Sequence, residues 1–185
     1  MKVMGLCGSL RKASINAALL RAAAQLTPPE LTLTVMPGLG ELPLFNPDIE
    51  VSPPESVLRF HQMVAESDAL LIASPEYAHG VTGTIKNALD WLVGFEPFVG
   101  KAVAVLNASP RAQHSDMALR ETLRTMGAVI IESASITIPL LGAGLDEVGM
   151  LTTPSVAEAV RGALATLQEA LLARHGIDNL PLGPK

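Results

Sequence analysis

The chain has 185 residues, 49% of them apolar and 17% charged, with a formal net charge of −5; that length suits one well-buried domain and is short for two. No uninterrupted apolar stretch reaches the roughly 18 residues that a bilayer span requires, so the mean hydropathy of +0.37 is read as a soluble chain with a large core. One cysteine, Cys7, excludes an intrachain disulfide, the apolar run after Lys2 is too short for a signal peptide, and an acidic balance with a single basic turn excludes a groove-tracking nucleic-acid footprint; a cytoplasmic protein with no nucleic-acid or membrane partner is expected.

The first element is a strand over residues 2–7, which breaks into Gly8-Ser9-Leu10-Arg11-Lys12-Ala13-Ser14-Ile15-Asn16 and then into a helix from Ile15 to Leu26. Residues 1–29 hold Lys2, Arg11, Lys12 and Arg21 and no acid, a positive segment on an acidic chain. Strands follow at 31–36, 68–73, 102–107 and 128–137, each with Val, Ile or Leu on both faces, as in parallel strands covered on two sides. Between them the spacing predicts helices from Glu55 to Glu66, from Thr84 to Leu92 with Ile85, Ala88, Leu89 and Leu92 on one face, and from Asp116 to Met126 with Gly127 as its stop. The last helix starts at Pro154, repeats Val156, Val160, Leu164, Leu167 and Leu171, and is closed by Arg174, His175 and Gly176. Ser133 to Leu145 reads as strand plus loop, buried between subunits.

Five strands, each followed by a helix, give a single three-layer α/β domain over residues 1–185, with a five-stranded parallel sheet of order 2-1-3-4-5 and helices on both faces. Ligands of such sheets bind beyond the carboxyl ends of the strands, where strand order reverses. The loops flanking that crevice are residues 8–14 and Ser74-Pro75-Glu76-Tyr77-Ala78-His79-Gly80.

The first loop is a phosphate cradle by composition. It feeds a helix N-terminus, whose free N–H groups and partial positive charge favour anions. It is neither a Gly-x-Gly-x-x-Gly turn nor a P-loop, and strand two ends at Met36-Pro37 without an acid for a dinucleotide ribose. The remaining reading is a cradle for the terminal phosphate of a mononucleotide, with hydroxyls from Ser9 and Ser14, a charge-assisted bond from Arg11 and the Asn16 amide.

Four segments together, Gly8-Ser9-Leu10-Arg11-Lys12-x-Ser14-x-Asn16, Leu42-Pro43-Leu44-Phe45-Asn46-Pro47-Asp48, Ser74-Pro75-Glu76-Tyr77 and Lys86-Asn87-Ala88-Leu89-Asp90-Trp91, closely resemble the NAD(P)H-dependent FMN reductases across residues 3–137. That family is flavodoxin-like and includes quinone, azo-dye and chromate reductases. The resemblance implies that Ser9, Arg11, Ser14, Ile15 and Asn16 hold the FMN phosphate and ribityl end. It likewise places Pro75, Glu76, Tyr77 and Ala78 along the isoalloxazine ring, mainly through backbone groups, and Ser109 at the ring's pyrimidine side. It implies FMN as cofactor, NADPH or NADH as co-substrate, no catalytic acid–base pair, and ping-pong transfer to a quinone, azo compound, free flavin or metal oxyanion. The alternative is a flavodoxin-like electron carrier that no nicotinamide reduces directly. A homodimer or homotetramer is also implied, with Phe45, Phe95, Phe98 and Ser133 to Leu145 on shared surfaces. The chain departs from the family pattern at Ala78, where Asn is usual, at Thr82, where Pro is usual, and at Ala13, where Gly is frequent.

Each of these residues has a plainer reading. Ser14 suits a helix N-cap, Arg11, Lys12 and Arg111 suit solvated surface positions, Trp91 suits packing, and Cys7 suits a small core residue. His61, His79, His114 and His175 are scattered without metal-ligand spacing, so no metal is assigned. No Gly-x-Ser-x-Gly turn is present, which argues against an esterase-type triad.

Overall fold

Alternating apolar side chains on both strand faces force a sheet with two covered sides, and the computed structural model has that form; it describes residues 1–178, with side chains at all of these except His175, Ile177 and Asp178. The strands are β1 (Lys2–Cys7), β2 (Thr32–Val35), β3 (Ala69–Ala73), the hairpin β4 (Glu76–Tyr77) and β5 (Gly80–Val81), then β6 (Ala102–Asn107), β7 (Val129–Ile130) and β8 (Ile136–Thr137). The main sheet runs β2-β1-β3-β6-β7 with β8 also on β6, and all its pairs are parallel. Met4 pairs with Leu70 and Leu71 with Ala104, which aligns the carboxyl ends of the three central strands.

The fifth strand is not continuous over 128–137. Val129 and Ile130 pair with the start of β6, Ile136 and Thr137 with its end, and a 3-10 turn at Glu132–Ala134 separates them. Ser135 makes the break tolerable: its hydroxyl accepts the Val105 N–H at 3.1 Å and donates to the Ile131 carbonyl at 2.9 Å, occupying the position a ladder bond would have filled.

The helices are α1 (Ile15–Gln25), α2 (Pro47–Glu50), α3 (Glu55–Glu66), α4 (Gly83–Asp90), α5 (Gln113–Thr125), α6 (Glu147–Thr152) and α7 (Pro154–Asp178). Two cores result. Val3, Leu71 and Leu106 point to a layer with Leu19 and Leu20 of α1 and the Val160, Leu164, Leu167 stripe of α7. Their strand neighbours Met4, Leu70 and Val105 point to the opposite layer with Phe60 of α3, Leu89 of α4 and Leu123 of α5. The period-2 alternation thus assigns each strand residue to one of two separate apolar layers.

Several boundaries shift by a few residues, α4 for example running Gly83–Asp90, and two of the shifts have a clear physical reason. α7 passes through Gly176 to Asp178, because a glycine inside a helix costs only about 1 kcal/mol and ends it only when it turns left-handed; Gly162 also lies within α7. α5 begins at Gln113, three residues before Asp116, because its first turn is capped from elsewhere in the fold. Of the phenylalanines read as shared surface, Phe98 is 1% exposed and belongs to the core, while Phe45 and Phe95 are half-buried, Phe45 meeting Trp91 edge-on at 5.1 Å and Phe95 stacking on His61 at 4.1 Å. No helix among the described residues is long and apolar enough to cross a membrane.

Candidate active site

Parallel strands deliver their following loops to one edge, and here the loops after β1, β3 and β6 enclose a cavity of about 490 Å³. The first loop contributes Ser9, Arg11, Ser14, Ile15 and Asn16 to its lining. The second contributes Pro75, Glu76 and Tyr77, and the third Ser109 and Arg111. Ala78 lies one residue beyond, at the hairpin tip, and does not line it.

Gly8 lets the first loop start close to the second. A Cβ there would lie 2.1 Å from the Ser74 hydroxyl and 2.8 Å from Ile85 Cγ1, so the requirement is for space. Ser14 is the N-cap of α1: its hydroxyl oxygen accepts the Ala17 N–H at 3.2 Å, leaving its proton to be donated elsewhere. Asn16 follows in the first turn, 6% exposed, and its Oδ1 has no partner. Cys7 is half-buried, and its thiol donates to the Ser9 carbonyl at 3.4 Å beneath the loop.

The positive segment is partly neutralised by the fold. Lys2 reaches Glu66 and Arg21 reaches Glu147, both away from the cavity. The side chains of Arg11, Lys12 and Arg111 have no ion pair among the described residues. Two of those three cations line the cavity, against one carboxylate, Glu76, whose oxygens are engaged by Ser115 and His79.

The second loop is a β4–β5 hairpin whose two turn residues, Ala78 and His79, both have positive φ, 49° and 58°. Two-residue hairpins of this hand favour Asn-Gly, so the departure at Ala78 falls where a Cβ is strained. The departure at Thr82 is absorbed, since its hydroxyl caps α4 by accepting the Ile85 N–H at 3.4 Å. Glu76 reaches across to α5: one carboxylate oxygen accepts the Ser115 N–H at 2.9 Å and the other meets His79 Nδ1 at 3.1 Å. The Ser115 N–H is the main cause that holds the Glu76 carboxyl below its ordinary value; burial opposes it, and His79 and His114 add to it. His79 and His114 are therefore not scattered; their rings meet edge-on at 4.4 Å. Among the described residues no group of three or more His, Cys, Asp or Glu could hold a metal ion.

The third loop is fixed by Asn107, 6% exposed, which accepts the Ser109 N–H at 3.0 Å and donates to the Ala112 carbonyl at 3.3 Å. Ser109 in turn accepts the Arg111 N–H at 3.2 Å, so its hydroxyl shapes the turn. Ala13, Ser74, Asn107, Ala108, Ala112 and Leu141 complete the lining and were not among the predicted site residues. A lone amide ending a buried strand is a usable signal for Asn107. Leu141 carried none, because a surface leucine just before a glycine-rich turn has no pattern.

The sequence pattern described as NADPH-dependent FMN reductase matches residues 1–140. A relative in Pseudomonas aeruginosa named NAD(P)H-dependent FMN reductase is 34% identical over 177 residues, 91% of this chain and 94% of that one. A quinone reductase of Pseudomonas putida is 44% identical over 111 residues, 57% of this chain and 58% of that one. Among solved structures, the flavoenzyme NAD(P)H:(acceptor) oxidoreductase of Paracoccus denitrificans superimposes with a TM-score of 0.82 at 30% identity, over 93% of this chain and 97% of that one.

Proposed function

The chain belongs to the NADPH-dependent FMN reductase family, and from that premise we propose how its cavity divides the work of a flavin-dependent NAD(P)H oxidoreductase. The residues present fit the cofactor. The observation that carries the reading is a guanidinium, Arg11, with no ion pair among the described residues, beside the α1 N-terminus; in the same turn the buried Asn16 Oδ1 has no partner among the described residues and is an acceptor suited to a ribityl hydroxyl. The Ser14 proton, the Asn16 carboxamide and Arg11 would hold the phosphate end, Ser9 and Ile15 the adjoining chain. Pro75, Glu76 and Tyr77 would border the ring mainly through their backbone, and Ser109 its pyrimidine side, with Ala78 off the cavity. Bound FMN supplies hydride acceptance from a nicotinamide and onward delivery of the electron pair to an oxidant.

The protein's own part is binding, orientation and electrostatics. Tyr77, 60% exposed, and Leu141, 55% exposed, both line the cavity and leave its mouth open. Donor and acceptor would use that mouth in turn, which is a ping-pong order, with a quinone, azo compound, free flavin or metal oxyanion as acceptor. Assembly as a homodimer or homotetramer belongs to the same reading, and Leu44, Val51 and Val93 are exposed apolar side chains available to it.

The test is the visible spectrum of the purified protein, alone, with FMN, and then with NADPH without oxygen. Flavin bands that appear and bleach are expected. Bands that persist under both NADPH and NADH would make the protein a carrier, and no FMN uptake would overturn the cofactor assignment.

A further inference from the structure

A two-stranded hairpin of two-residue strands is marginal by itself, and the β4–β5 ribbon pairs only with itself, outside the main sheet. Its turn adds strain, since neither Ala78 nor His79 is a glycine at positive φ. Yet this ribbon carries Tyr77, which forms one wall of the cavity. Its roots are fixed, with the Ser74 hydroxyl 3.3 Å from that of Thr82 and Thr82 capping α4. Its outer part needs another anchor.

On the facing side, α5 begins with an unmet need. Its N-cap residue, Ala112, has no side chain able to cap, and Ser115 in the first turn is 5% exposed, so its N–H is out of reach of water. The Glu76 carboxylate meets that N–H at 2.9 Å. It thereby serves α5 and the hairpin together, and an anion there also suits the positive end of the helix.

We propose that Glu76 is a positioning residue for the reductase: by bonding the Ser115 N–H it fixes the β4–β5 hairpin against α5 and so holds Tyr77 on the cavity wall. The claim rests on the reductase reading of the cavity, and goes beyond it by giving the Glu76 side chain a task separate from any backbone contact with a ligand. The second oxygen, 3.1 Å from His79 Nδ1, ties the strained turn to the same carboxylate.

Tyr77 is the only tyrosine of the chain, so 3-fluorotyrosine labelling gives one fluorine resonance from the wall itself. In flavin-free protein, Glu76→Ala should shift and broaden that line. With FMN added, the same variant should raise the FMN Kd and the KM for a quinone by about tenfold, with a smaller change in kcat. Glu76→Gln, whose amide oxygen still accepts from Ser115, should restore most of both. Glu76→Asp, one methylene shorter, should not. A wild-type fluorine line and KM in Glu76→Ala would overturn the proposal, as would Gln behaving like Ala. If Glu76→Ala fails to fold, the Gln and Asp pair decides. Because the fluorine line is read without flavin, a wild-type protein that NADPH fails to reduce would remove the reductase reading and leave the positioning result standing.

Discussion

The indole N–H of Trp91 donates to the carbonyl of Pro43 at 2.8 Å, joining two sequence segments that lie far apart in the chain. Asn87 reinforces the joint: its amide donates to the same carbonyl at 3.0 Å, and its oxygen accepts the Phe45 N–H at 2.8 Å. The Leu42–Asp48 and Lys86–Trp91 segments are thus partners in one structural unit, by which α4 pins the irregular stretch after β2.

Trp91→Phe should therefore lower stability by about 1–2 kcal/mol, because one buried hydrogen bond and part of a ring are lost while Asn87 still satisfies Pro43. Trp91→Ala should cost roughly 3–5 kcal/mol, since Trp91 is 2% exposed. Urea midpoints of the two variants check this. A Trp91→Phe variant as stable as the parent would show that the indole N–H contributes nothing.

Arg11→Ala should weaken FMN by about ten- to a hundred-fold, the expected loss of a charge-assisted bond of roughly 1.5–3 kcal/mol. Riboflavin, which lacks the phosphate, should bind almost as before. Fluorescence titration with both ligands separates the outcomes. Equal losses would mean that Arg11 maintains the loop and does not meet a phosphate.

Ala78→Gly should stabilise the protein. Removing the Cβ at φ 49° relieves about 1–2 kcal/mol of left-handed strain, and the added freedom of glycine returns roughly 0.5–1 kcal/mol of it. A net gain of up to about 1.5 kcal/mol in urea unfolding is expected, and a loss would show that the turn holds Ala78 without strain.

The acid side of the stability profile should depend on Glu76. Its carboxyl is held below the ordinary value of 4.5, chiefly by the Ser115 N–H, so folding favours the ionised form. Its contribution is complete above about pH 4.5 and is lost as pH falls through the lowered folded value. Glu76→Gln cannot titrate, so it should be less stable than the parent near neutrality and should converge with it in acid. Unfolding midpoints from about pH 3 to 7 measure this. A constant gap between the two proteins would assign the difference to packing.

Much of the fold was legible because periodicity survives in the sequence where burial is two-sided. α3 runs from Glu55 to Glu66 as its spacing predicts, and the apolar stripe of α7 from Val156 to Leu171 is buried throughout. The break between β7 and β8 was not legible, because an apolar run looks the same whether its backbone pairs or a serine hydroxyl takes the bond. Nor was the start of α5, whose cap, Glu76, comes from 39 residues earlier. At the site, the residues of the first loop could be named from composition, and the structure brings nine of the ten predicted cofactor contacts onto one cavity and leaves Ala78 off it. The pairing of His79 with His114 needed the tertiary fold, because their sequence separation carries no periodic signal.

The interruption between β7 and β8 also bears on how such a protein can change. Because β8 pairs with the very end of β6, the chain runs on over the loop that follows β6, and the Leu140 and Leu141 N–H groups both donate to the Ala108 carbonyl, at 3.1 and 3.2 Å. That pin sets Leu141 on the cavity, one residue past the stretch matched by the family pattern. The mouth is therefore bounded on one side by a residue outside the matched stretch, while the first loop is tied to β1 and α1. A substitution at Leu141 should accordingly alter how the mouth receives a small molecule while leaving the first loop as it is.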